Sequence, residues 1–359
     1  MPLPFLTIPL LAFIACVVLH IGALKLFPKL NLLDFPERYG LRRKRLPYPT
    51  GIIPLLLFLL FFLSLEGWNI QTIGVSISVV LLGIFSFLDD RRPLPAWLRL
   101  IIQVLVAITI FATGSRIYTI TNPLEGLLGM SEILKLDSIV LSTGHLPLIT
   151  ILGPLPLLSG LFTILWLGIT MNALNWFDGI PGQVSTLSSV GFLTIGFLSM
   201  GERVQQPQLA LMSFVLAALS LGCLLFDFPP PRVLMGDTGS MFFGLMLGVL
   251  TIYAGGKVAT AFLVLGVPLI DSFLVVIQRI LKGKNPLKGS LHGEHLHHRL
   301  LARGWAPRQV ILLTASIGSL FGITALFLST IEKFIAAVIL FAIMTGFLFY
   351  TRKSYGSNT

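Results

Sequence analysis

Apolar runs follow one another along almost the whole of this 359-residue chain, many of them near the roughly 20 residues that cross the hydrocarbon of a bilayer. Such a pattern leaves few architectures open. Asp, Glu, Lys and Arg together supply only 11% of the residues, against about a quarter in a soluble domain, so the chain cannot coat a water-soluble globule of its own size. The runs predict about eleven transmembrane helices, near 4–24, 52–65, 70–88, 97–114, 150–171, 184–200, 208–226, 239–255, 258–281, 309–328 and 333–351. No small-residue cleavage site follows the first, which therefore reads as a retained span. The fold class expected is all-α, a polytopic membrane helix bundle forming one domain over 1–359.

A net charge of +10 could signal nucleic acid in a soluble protein, but here its distribution points to membrane orientation. With eleven crossings, all but Arg116, Lys135, Arg203, Lys257 and Lys333 of the 25 Lys and Arg fall on one side. That side is expected to be cytoplasmic. The N-terminus then faces outward, the C-terminal RKSYGSNT faces the cytoplasm, and no nucleic-acid partner is expected. Cys16 and Cys223 both fall inside apolar spans, which reads as packing rather than as a disulfide framework or thiolate metal site. The segment 115–149 reads as an irregular outer loop.

Polar chemistry is confined to a few loops that this orientation places on one face: LDFPERYGLRRKRLPYPTG (33–51), LDDRRPLP (88–95), NALNWFDGIPG (172–182), MGDTGS (235–240) and GEHLHHRL (293–300). Asp89 and Asp90 close a span whose C-terminal dipole disfavours carboxylates; they are either a turn neutralised by Arg91 and Arg92 or a pair orienting a metal-bound phosphate or accepting a proton. Asn172, Asn175 and Asp178 recur every third residue, so a continuing helix gathers oxygen ligands of the kind Mg²⁺ prefers. Gly236-Asp237-Thr238-Gly239-Ser240 precedes an apolar helix; it is a simple N-cap or an anion cradle of backbone N–H groups with a cation-holding carboxylate. His292, His295, His297 and His298 lie among Lys and Arg, which favours a phosphate-binding patch over a zinc site. Asp271, three residues after Pro268 inside a span, is a functional candidate or a paired structural group.

Taken together, the four strings at 88–95, 172–182, 235–240 and 293–300 resemble those of the polyprenyl-phosphate N-acetylhexosamine-1-phosphate transferases, in the family's order and over nearly the entire chain. GEHLHHRL is more similar to the N-acetylglucosamine branch than to the muramoyl-pentapeptide branch. The resemblance implies an enzyme of the inner cell membrane with a cytoplasmic active site. Its reaction would join an N-acetylhexosamine 1-phosphate from a UDP-N-acetylhexosamine to undecaprenyl phosphate, releasing UMP and starting a lipid-linked envelope glycan such as lipopolysaccharide or teichoic acid. It also implies roles. Asp237 would bind Mg²⁺ (or Mn²⁺) with Asn175 as co-ligand, and Asp89 and Asp90 would engage the lipid phosphate, with Asp178 counted among the catalytic carboxylates. Asn172, Gly236, His295, His297, His298 and Arg299 would contact substrate, and Arg45, with Pro49, Thr50 and Gly51, matches the first cytoplasmic loop. A homodimer is compatible with this pattern. The family commonly has a second Asp where this chain has Pro181. A secondary transporter is the alternative from another class, and Asp271 with Pro268 is the feature that suits it.

Overall fold

The computed structural model describes residues 3–39, 43–121, 133–135, 140–141, 155–202, 204–255, 258–284 and 293–352. The expectations for Arg42, Arg203, Lys257, Lys288, His292 and most of the 115–149 segment fall outside the described residues, as does the tail beyond 352.

Among the described residues the chain forms thirteen α-helices: α1 (Pro4–Lys29), α2 (Ile52–Glu66), α3 (Ile70–Arg91), α4 (Ala96–Ala112), α5 (Leu157–Phe177), α6 (Gln183–Met200), α7 (Pro207–Asp227), α8 (Gly236–Tyr253), α9 (Val258–Val264), α10 (Gly266–Leu281), α11 (Leu296–Ala302), α12 (Pro307–Phe327) and α13 (Thr330–Arg352). Every apolar stretch expected to span carries a helix, or, for 258–281, the pair α9 and α10, bent by 86°. Seven helices (α1, α3, α5, α6, α7, α12 and α13) are long and apolar enough to cross a membrane, and the bent pair makes an eighth if it is one span. Helices α2 and α4 are shorter apolar helices.

One boundary differs clearly from expectation. The helix predicted over 150–171 starts at Leu157 and runs to Phe177. Pro156 at its N-cap has no N–H to continue a helix upstream, and Asn172 and Asn175, beyond the expected end of the span, lie in its last turns, as their spacing on a continuing helix implied. The outer segment is also not purely irregular. Thr119–Thr121 pairs antiparallel with Ile133–Lys135, and Val140–Leu141 with Leu155–Pro156.

Helix α8 is the axis of the bundle. Fifteen consecutive residues, Thr238 to Ile252, are buried. Its contact with α5 depends on small residues four apart: a Cβ at Gly244 would fall 2.6 Å from the Thr170 carbonyl oxygen, and one at Gly248 would fall 2.7 Å from Thr170 Oγ1. This is the close approach by which helices associate where lipid supplies no hydrophobic drive between them. Around this axis, α3, α4, α6 and α7 complete the core, while α1 and α13 turn broad rows of Leu, Ile and Phe outward, as lipid-facing surfaces require. The axis also sets the ends of the molecule. Asp237 lies in its first turn and Tyr253 ends it, roughly 25 Å away at 1.5 Å per residue.

Candidate active site

The strings that lie far apart in sequence meet at the Asp237 end of α8. The link between α3 and α8 is Asp90. Its Oδ1 accepts hydrogen bonds from the Tyr48 hydroxyl (2.5 Å) and the Asp237 backbone N–H (2.8 Å). Its Oδ2 accepts from the Thr238 backbone N–H (2.9 Å) and from Thr238 Oγ1 (2.6 Å). The first N–H groups of a helix have no intrahelical acceptor and carry partial positive charge, so a carboxylate supplied by another helix satisfies both needs. Gly236 makes room for it. Its φ of +77° is one that glycine adopts without strain, and a Cβ there would lie 2.7 Å from Asp90 Oδ2. Both oxygens of Asp90 are therefore committed to holding α8, a structural duty distinct from the substrate contact the resemblance implied.

The first loop delivers Tyr48 to this junction. Leu234 N–H donates to the Pro47 carbonyl, Thr50 N–H to Leu234 and Gly51 N–H to Met235, so residues 47–51 run alongside the approach to α8. Arg45 belongs to the same loop but turns away: its guanidinium pairs with Glu37 at 3.2 Å and lies over the Phe35 ring. Its expected substrate contact would need that pair to open.

Asp89 faces the other side of the α3 terminus. Its Oδ1 accepts from the Leu94 N–H (2.5 Å), and its Oδ2 lies 3.3 Å from Arg99, which also stands 3.7 Å from Asp237. Asn175, whose amide donates to Ser240 Oγ at 3.1 Å, lies close enough to Asp237 to lower its pKa. Asn172, one turn back on α5, is drawn aside by Gln103, whose Oε1 accepts from its amide at 2.7 Å. Only two of the three residues on that stripe, Asn175 and Asp178, thus face the carboxylates. Asp178 caps α5 and is half-buried. Among the described residues its carboxylate has no hydrogen-bonded partner. Desolvation, and then the charges of Asp237, Asp227 and Asp90, hold its pKa well above the usual carboxylate range.

The histidine string closes over this group. A Cβ on Gly179 would fall 1.9 Å from His297 Nε2, so the FDGIPG turn and the GEHLHHRL segment touch because residue 179 has no side chain. His297 is fully buried, its ring edge-on to Phe177 and stacked with His295 and 4.1 Å from His298. Neither of its nitrogens has a hydrogen-bond partner among the described residues, and burial beside two other imidazoles pushes its pKa well below 6.5. Asp271 underlies the string. Its Oδ2 lies 2.7 Å from His295 Nδ1, and its Oδ1 accepts from the Leu296 N–H at 2.9 Å, capping α11. The intramembrane carboxylate is thus a paired group that orients the histidines. Arg299 is engaged with the Gly293 carbonyl and with Gln278 Oε1.

Sequence reasoning missed Arg99, the cation shared by Asp89 and Asp237, and Asp227, buried behind Asp178 with one oxygen on Ser185. Arg99 carried a faint signal as a lone charge near the start of an apolar helix. A cavity of about 530 Å³, lined by Glu66, Asn69, Gln71 and Tyr253, lies at the far end of α8.

The donor set suits a hard divalent cation. Asp89 and Asp237 share the Arg99 guanidinium, and Asp178, its pKa raised chiefly by burial and then by the charge of Asp237, lies near Asp237. A cation there would turn an anion-repelling pocket into one that accepts phosphates.

Comparison with known proteins gives the same picture from another direction. The sequence model of glycosyl transferase family 4 matches residues 72–255. The probable undecaprenyl-phosphate N-acetylglucosaminyl 1-phosphate transferase of Bacillus subtilis (strain 168) is 33% identical over 281 residues, covering 76% of this chain and 69% of that protein. The undecaprenyl-phosphate alpha-N-acetylglucosaminyl 1-phosphate transferase of Salmonella typhi is 27% identical over 342 residues, 88% of this chain and 83% of its own. A decaprenyl-phosphate N-acetylglucosaminephosphotransferase of Mycolicibacterium smegmatis is 34% identical over 167 residues, 40% of each.

Proposed function

Given that the chain belongs to glycosyl transferase family 4 and is a phosphoglycosyl transferase, we propose that it moves N-acetylglucosamine 1-phosphate from UDP-N-acetylglucosamine to undecaprenyl phosphate at the cytoplasmic face of the inner membrane. The transporter alternative falls with the family assignment. A phosphate oxygen of the lipid attacks the β-phosphorus of the nucleotide sugar, the bond from that phosphorus to the oxygen bridging the α-phosphorus breaks, and UMP leaves. The products are a lipid pyrophosphoryl sugar and UMP.

The observation that supports this reading best is the convergence of Asp89, Asp178 and Asp237, from three separate strings, at the first turn of a buried helix. Phosphoryl transfer is catalysed chiefly by positioning and charge neutralisation, and the arrangement offers both. Mg²⁺ held by Asp237, Asp178 and Asp89, with Asn175 beside them, would neutralise the pyrophosphate oxygens. Arg99 stands between two of these carboxylates and holds them in register for the substrate. The lipid phosphate is mostly ionised near neutral pH, so its attack requires no strong base. Asp89 and Asp90, each already bonded, need not act as one. His297, whose two buried nitrogens have no hydrogen-bond partner among the described residues, and His298 supply hydrogen-bonding groups toward the nucleotide sugar.

Release of UMP from UDP-N-acetylglucosamine, measured with undecaprenyl phosphate in detergent with and without Mg²⁺, tests the proposal. Mg²⁺-dependent release with a lipid product of the corresponding mass is expected. If no UDP-amino sugar in a panel yields UMP, the reading is wrong.

A further inference from the structure

Away from the aspartates, the two cysteines of the chain lie against each other. Cys16 on α1 and Cys223 on α7, 207 positions apart, are both buried, with sulfurs 4.0 Å from each other. His20, one turn after Cys16 and only 1% exposed, places Nδ1 3.6 Å from Cys16 Sγ; that Nδ1 donates to the Cys16 carbonyl at 2.9 Å and Cys16 Sγ donates to the Leu219 carbonyl at 3.4 Å, two contacts that a bound metal would replace. One ligand atom from each of the three lies within 4.8 Å of the others. The His20 ring stacks on Phe226, and its Nε2 has no hydrogen-bond partner among the described residues.

We propose that Cys16, His20 and Cys223 form a structural zinc site that pins α1 to α7. Two arguments meet here. The first is metric: bonds of about 2.3 Å to sulfur and 2.0–2.1 Å to nitrogen in a tetrahedron give edges of about 3.8 Å between sulfurs and about 3.6 Å between sulfur and nitrogen. The Cys16–Cys223 and Cys16–His20 separations match these edges within a few tenths of an ångström, and the third pair lies within 4.8 Å. The second is charge. Two thiolates cancel the two charges of Zn²⁺ and a neutral imidazole adds none, so the assembly is neutral, as a buried setting demands. Cu⁺ at the same three ligands would leave a net negative charge. The site would have a clear structural use. Helix α1 turns most of its surface outward, packs on α7 through the face that carries Cys16 and His20, and leads into the loop that carries Tyr48 to Asp90.

The test uses the full chain, purified without a histidine tag, reduced, and kept in excess Mg²⁺ so that the aspartates are saturated. Titration with Co²⁺ should give one ion per chain with a thiolate-to-cobalt charge-transfer band, lost on adding Zn²⁺. Because the chain holds only two cysteines, that band has one origin and needs no variant to assign it. His20→Asn should weaken Co²⁺ binding at least about tenfold, with Mg²⁺-dependent UMP release retained. Absence of the band in the wild-type chain would overturn the proposal. So would a mass spectrum showing Cys16 and Cys223 joined by a disulfide in freshly purified protein.

Discussion

Adjacent carboxylates with identical side chains end in different employment here, and that division is a residue-scale result. Asp90 accepts four hydrogen bonds and secures α8, whereas Asp89 pairs with Arg99 at the edge of the carboxylate group. Asp90→Ala removes a charged acceptor from buried N–H groups and should cost about 2–3 kcal/mol, seen as a lowered thermal midpoint in detergent. Asp237→Asn should leave that midpoint within about 0.5 kcal/mol equivalent while abolishing UMP release or sharply raising its Mg²⁺ requirement. Equal effects of the two on folding would refute the division. His297 gives a pH-dependent counterpart. Its folded pKa lies well below 6.5, so the unfolded chain binds the extra proton and stability drains away as pH falls below about 6.5. His297→Gln should flatten that acid-side decline in thermal midpoint between pH 7.5 and 5.5, and an unaltered slope would remove His297 as its source. Of these residues the sequence revealed the types and the spacing. It could not reveal which of Asp89 and Asp90 faces α8, because that depends on the rotation of the last turn of α3.

At the scale of elements, the site is built from helix ends held by unusually close contacts. The turn at 178–182 and the start of α11 touch through the bare Cα of Gly179. Gly179→Ala must displace His297, and overpacking of this kind costs about 1–3 kcal/mol. It should raise the KM for the nucleotide sugar more than that for the lipid; a change confined to the lipid would place the histidines elsewhere in the reaction. Apolar runs made most helices legible, since hydrocarbon thickness fixes their length. The start of α5 was not legible, because Gly153, Pro154 and Pro156 interrupt a stretch whose apolar content alone continues. Arg99, Asp227 and the Cys16–Cys223 pair were invisible for a different reason: each takes its meaning from a neighbour on another helix, across separations that periodicity does not encode.

For the molecule as a whole, the charge asymmetry and the convergence of polar strings make one claim about sidedness. With eleven crossings, alkaline phosphatase fused after Glu202 should be active outside the membrane, while a fluorescent protein fused at the C-terminus should mature in the cytoplasm. An even number of crossings would put the C-terminus outside and reverse the second result.

The clasp of Asp90 on α8 has a consequence for how the protein comes into being. It joins residues 48, 90, 237 and 238, and α11 arrives some 60 positions later to roof them over. During synthesis most of the chain must therefore be made before the candidate site can assemble. A ribosome stalled before α8 leaves a bundle with α3's acidic end unclaimed and the candidate site incomplete.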